Sequence, residues 1–233
     1  MKVNKKVSKI FEKQDLNAID RYLKDRLDEL DSLAQRGDPW VFGACCTFIE
    51  MLAERENPQK TKSGNRFKKF VQMYLMPSNS LYQDAENKLK EKTTKQEFPE
   101  ISKNLWNVLR CGVVHSFSMK DNKDKKYKIL LGHRKNSKSC TSEHLNIVDV
   151  NDNGKTYKAL LIIAEDFVED LRKCTQKIIE KAKQDPSFCD PFKKEFSTNP
   201  PFGWLTFDEE SIDKAVNSQD SIKERSNENN PLH

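Results

Sequence analysis

Apolar residues recur every three or four positions along most of this chain, with charges between them, and that spacing predicts helices. Leu16, Ile19, Leu23, Leu27, Leu30 and the pair Leu33/Ala34 mark a first long helix over residues 15–35. Gly37 supplies its stop, while Asp38 and Pro39 offer a cap and a first-turn proline for the next helix. That second helix, 40–54, is apolar almost all round: Val41, Phe42, Ala44, Cys45, Cys46, Phe48, Ile49, Met51 and Leu52. Such a helix belongs at the centre of a bundle or in a subunit interface. Beyond a polar linker, Phe67, Phe70, Val71, Tyr74 and Leu75 define a shorter third helix closed by Pro77. A short amphipathic helix over 80–92 follows. Pro99 opens another, with its stripe on Ile101, Leu105, Val108, Leu109 and Gly112.

The period then changes. Residues 127–132 and 145–150 read as two short strands, and the run Asn151-Asp152-Asn153-Gly154 as a turn. A small β-hairpin is predicted here, with His133-Arg134-Lys135 in its connecting loop. A last long helix is expected over 158–183, on Leu161, Ile162, Ala164, Phe167, Val168, Leu171, Cys174 and Ile178, ended by Pro186. From Pro186 onward no regular period is visible. Phe188, Phe192, Phe196, Phe202, Trp204 and Phe207 stand among prolines, and past residue 211 the tail is polar and reads as disordered. The predicted fold is an all-α bundle of four to five main helices with a small β-hairpin insertion and an irregular C-terminal tail. Its parts are a basic segment 1–14, a helical domain 15–185 with the β excursion at about 126–157, and a tail 186–233.

Composition narrows the function. At 233 residues, 36% hydrophobic and 33% charged, the chain supports one domain plus a tail. No apolar run approaches the roughly 18 residues of a membrane span, and no signal-peptide pattern follows the basic N-terminus, so the expectation is a cytoplasmic protein without membrane contact. The net charge of +5 is compatible with a polyanionic partner, because basic clusters recur at 2–9, 60–69, 120–128 and 133–138. The six cysteines form no C-x-x-C pair and no zinc-finger spacing, and read as reduced structural thiols. His133, Cys140 and His144 are near one another in sequence, but their spacing is not a known metal site and a fourth ligand is missing. The expectation is therefore no metal and no cofactor. No Gly-rich phosphate loop, G-x-S-x-G elbow or H-E-x-x-H is present. The carboxylate pairs Glu165/Asp166 and Glu169/Asp170 read as the wet face of an amphipathic helix.

The strongest chemical signal is Leu105-Trp106-Asn107-Val108-Leu109-Arg110-Cys111-Gly112-Val113-Val114-His115-Ser116-Phe117. A permanent cation able to fork onto phosphate and a side chain able to move a proton near neutral pH lie five positions apart. On a straight α-helix the two are about 140° apart, so they do not share a face. A loosened last turn after Gly112, a curled arginine or a second copy of the helix would bring them together. Trp106, Val113, Val114 and Phe117 lie off the main apolar stripe and would be covered by a two-fold partner.

This stretch resembles the R-x(4–6)-H motif of the HEPN superfamily, with Arg110 and His115 in the motif positions. The likeness extends to the order of helices over about 15–183, with some fifteen residues specific to it. The resemblance implies a bundle dimerising through the motif helices, and in many members a metal-independent endoribonuclease of toxin–antitoxin, abortive-infection or CRISPR systems. The RNA 2′-hydroxyl would attack the adjacent phosphorus, with His115 moving protons and Arg110 stabilising phosphate charge. Lys103, Lys120 and Arg134 would steer the strand. Other members are non-catalytic modules that bind RNA or a protein. Cleaving members commonly carry a polar residue directly after the arginine, where this chain has Cys111. Three readings therefore stand: a homodimeric ribonuclease, such as a toxin or phage-defence effector with an antitoxin or regulatory partner; a non-catalytic HEPN-like module; and a helical protein with an accidental motif.

Overall fold

The computed structural model describes residues 15–56, 62–91, 100–111, 127–134, 143–152 and 154–198. Asp15 caps the first helix, α1 (Leu16–Arg36), accepting from the Asn17 N–H at 2.9 Å, and Gly37 closes it in the left-handed conformation at φ 73°. Asp38 accepts from the Trp40 N–H at 2.9 Å, turning the chain into α2 (Val41–Glu56). Phe42, Cys45, Cys46, Ile49 and Leu52 of α2 are fully buried, and α2 packs against the helices on several sides, which makes it the central helix. The third helix, α3, begins as an α-helix at Ser63–Phe70, widens to a π-turn at Val71–Leu75 and tightens to a 3-10 turn at Met76–Ser78. Pro77, which has no N–H to donate, sits at this last narrow turn. Helix α4 is Leu81–Glu91. Helix α5 is α-helical over Ile101–Asn104 and becomes a π-helix over Leu105–Arg110.

The β portion is larger than the spacing of polar and apolar residues implied. Strands β1 (Tyr127–Gly132), β2 (Ile147–Asp152) and β3 (Lys155–Ile163) form one sheet in the order β1-β3-β2. The hairpin joins β2 to β3, with Gly154 at φ 78° in its turn, while β1 runs parallel to β3 and does not pair with β2. Residues 158–163, predicted as the start of the last helix, are the second half of β3. Ala159, Leu160, Leu161, Ile162 and Ile163 are all buried, as a strand covered on both faces requires, and an uninterrupted apolar run of this kind fits either structure. The long helix α6 therefore begins later, at Ala164–Gln184.

A further helix, α7 (Pro186–Thr198), occupies the start of the segment predicted to be irregular. Asp185 caps it, accepting from the Ser187 hydroxyl at 2.6 Å and the Ser187 N–H at 2.9 Å. These bonds hold its carboxyl below the usual carboxylate range. Phe188, Phe192 and Phe196 follow at four-residue steps on one face. Phe192 and Phe196 are buried, and the Arg55 guanidinium lies 4.8 Å from the Phe196 ring centre. Among the described residues the protein is thus mostly helical, with seven helices and one three-stranded sheet. No described helix is long and apolar enough to cross a membrane.

One buried polar cluster fastens the sheet to the bundle, and it corrects the reading of Asp170 as solvent-facing. Asp170 is 1% exposed. It accepts from Asn79 Nδ2 at 3.0 Å and faces His144 Nε2 at 3.2 Å. His144 Nδ1 accepts the Ile163 N–H at 3.0 Å, which makes Nε2 the protonated nitrogen and the donor to Asp170. Both ring nitrogens are taken, so His144 is not available as a metal ligand. Burial, and then the Asp170 charge beside it, push the Tyr82 hydroxyl well above its ordinary range.

Candidate functional site

Arg110 closes the π-helical part of α5. In a π-turn the N–H bonds five residues back, and the Cys111 N–H accordingly reaches the Trp106 carbonyl. The widening lies before Gly112; the turn after Gly112, where loosening was one of the options, lies outside the described residues. Such wide turns are frequent at functional sites. Here the turn leaves Trp106 and Arg110 beside each other, with the guanidinium carbon 4.7 Å from the indole centre.

The guanidinium is fixed from the other direction by Glu50 of α2. Arg110 Nε donates to Glu50 Oε2 at 3.0 Å, and Nη2 donates to Oε1 at 2.9 Å and Oε2 at 2.6 Å. This is a two-pronged fork, the strongest geometry open to an arginine. Sequence reasoning passed over Glu50. The available signal was its isolation: it is the only charged residue between Pro39 and Arg55 apart from Glu54, in a helix otherwise built for the core. Cys46 lies one turn before Glu50. Burial pushes its thiol far up; Arg110 pulls the other way, and Glu50 and Cys111 push it further up, so Cys46 stays a neutral thiol.

Trp106 is partly buried against the core. Its ring centre is 5.2 Å from that of Phe67, and Gly64 backs onto it so closely that a Cβ there would lie 2.7 Å from Trp106 Cε2. Gln72 of α3 steadies the start of α5, donating from Nε2 to Glu100 at 3.1 Å and to the Ser102 hydroxyl at 3.2 Å. Trp106, predicted as a dimer-interface residue, touches Phe67, Gly64 and Arg110 of its own chain and leaves part of its surface exposed.

The other predicted site residues divide. Lys103 is exposed on α5, 3.6 Å from Glu100. Arg134 follows β1, exposed, with its guanidinium paired to Asp166 and its N–H donated to Glu165 at 3.1 Å. It borders a cleft of about 340 Å³ that His144, Asp166 and Lys173 also line, away from the residues gathered round Arg110. His115, Lys120, Val113, Val114 and Phe117 lie outside the described residues. Among the described residues no group of three or more His, Cys, Asp or Glu side chains is placed to hold a metal ion. No family model, curated protein or solved structure matches this chain.

Proposed function

We propose that this protein is a HEPN-type helical ribonuclease that cuts single-stranded RNA without a metal, as a homodimer in which Arg110 and His115 form the centre. The observation that carries the reading is Arg110: a largely buried guanidinium, seated on an indole and oriented by a carboxylate, at the end of a π-widened turn five residues before His115. The indole seat pre-sets the guanidinium plane, and a pre-set planar fork loses little entropy when it takes a phosphate.

In the reaction, His115 takes the proton of the 2′-hydroxyl as that oxygen bonds to phosphorus. The bond from phosphorus to the 5′-oxygen breaks, and the departing oxygen gains a proton from water or a second imidazole. Arg110 holds the non-bridging oxygens as charge builds on them. The products are a 2′,3′-cyclic phosphate and a 5′-hydroxyl. Lys103 and Lys120 lead the strand in, and the motif helices with Val113, Val114 and Phe117 meet across the dimer axis. A toxin or phage-defence role with an antitoxin partner follows from the HEPN resemblance.

A second reading, a non-catalytic HEPN-like module, is favoured by one observation. Glu50 cancels the charge of Arg110, as Asp166 does that of Arg134. End-mapping separates the two. Incubation with single-stranded RNA in excess chelator should yield cyclic-phosphate and 5′-hydroxyl ends, and His115→Ala should yield none. Absence of cleavage by the parent chain, with RNA binding intact, would establish the second reading.

A further inference from the structure

We propose that the Glu50 carboxylate occupies the position on Arg110 that an RNA phosphodiester would take, so that Glu50 is an internal competitor for substrate and masks the site until a strand displaces it. This rests on the reading that Arg110 handles phosphate. Two guanidinium edges, Nε and Nη2, meet the two oxygens of one carboxylate at 2.6–3.0 Å. The two non-bridging oxygens of a phosphodiester present nearly the same pair of acceptors to the same fork.

The exposures give the direction of approach. The Glu50 side chain is 27% exposed and that of Arg110 14%, so Glu50 is the more solvent-reachable half of the pair. Glu50 can therefore swing to water by rotating its own side chain, while Trp106 keeps the arginine in place. The exchange replaces one anion by another on the fork, and no buried cation is left unpaired at its end.

The mask also selects. A tethered carboxylate competes at an effective concentration of order millimolar or above. A lone phosphate with one contact does not outcompete it. An oligonucleotide that engages Lys103 or other cations through neighbouring phosphates does. The ligand class is thus a phosphodiester chain rather than a free phosphate or a mononucleotide.

The test is the binding of a fluorescent 12-nucleotide single-stranded RNA, by anisotropy across a salt series. Every protein compared carries His115→Ala so that the probe stays whole. Adding Glu50→Gln, which keeps the shape and removes the charge, should tighten binding at least tenfold and steepen the salt dependence by about one phosphate contact. The gain should vanish when Arg110→Gln is added. Unchanged or weaker binding with Glu50→Gln, or a gain that survives loss of Arg110, overturns the proposal. If Glu50→Gln fails to fold, Glu50→Asp withdraws the carboxylate by one methylene and should give a smaller gain of the same Arg110 dependence; no gain overturns the proposal equally. The ribonuclease reading fails separately. Glu50→Gln with His115 intact that binds tightly but never cuts removes the nuclease and leaves the mask. Cleavage by the parent chain with no effect of Glu50 does the reverse.

Discussion

Replacing Gly64 with alanine tests whether the packing beneath Trp106 positions the motif helix. Gly64 lies in the first turn of α3, where a new Cβ would meet Trp106 Cε2, Nε1 and Cζ2 at 2.7, 2.8 and 2.9 Å. Carbon–carbon contacts are comfortable at about 3.5–4.0 Å. The indole must therefore retreat by most of an ångström, and it has little room to do so. Phe67 lies against it at 5.2 Å between ring centres and Arg110 at 4.7 Å. In a helix interior alanine is favoured over glycine by about 1 kcal/mol, and less in a first turn. Overpacking costs about 1–3 kcal/mol, and disturbing the ring pair and the cation–π contact adds about 1 kcal/mol. The packing terms win, so Gly64→Ala should lose about 1–3 kcal/mol. For a chain of this size that lowers Tm by on the order of 5 °C. A thermal melt followed by circular dichroism measures it, and the cost of Gly64→Ala should shrink when measured in a Trp106→Leu background, where the clash is gone. A Gly64→Ala protein that melts at or above the parent would refute the argument that this contact is rigid.

Two further perturbations reach other parts of the account. Asp170→Ala strips the buried acceptor from Asn79 and His144, and should cost about 3–5 kcal/mol by urea denaturation; a loss under about 1 kcal/mol would show that the cluster does not fasten the sheet to the bundle. Burial pushes the thiols of Cys45, Cys46 and Cys174 above their ordinary range, so the fold favours the neutral form. Their stabilising effect is whole below the unfolded thiol value of about 8.5 and falls as pH rises past it, by up to about 1.4 kcal/mol per unit for each thiol. Urea midpoints at pH 7.5 and 9.5 should diverge, Cys174→Ala should narrow the gap, and an unchanged gap would contradict the burial argument.

The helical part of the fold was readable because its signals are local. The stripe on Ile19, Leu23, Leu27 and Leu30 is the buried face of α1, and Gly37 and Asp38 end and restart helices as their chemistry demands. What escaped depends on partners distant in sequence. Ala159–Ile163 becomes a strand because β1 and β2 flank it, and nothing in its own apolar run distinguishes strand from helix. Asp170 turns inward because His144 and Asn79, 26 and 91 residues away, supply its hydrogen bonds. Helix α7 hid behind Pro186 and Pro191, though the four-residue spacing of Phe188, Phe192 and Phe196 already carried its period. At the candidate site Arg110 stood out, whereas Glu50 gains meaning only when α2 and α5 lie side by side.

The central claim is that Arg110 and His115 cut RNA together, and single-turnover cleavage of single-stranded RNA in chelator tests it most directly. Arg110→Gln and His115→Ala should each slow cleavage at least a hundredfold, with His115→Ala still binding the strand as tightly as the parent. Cleavage at the parent rate by either variant would contradict the claim.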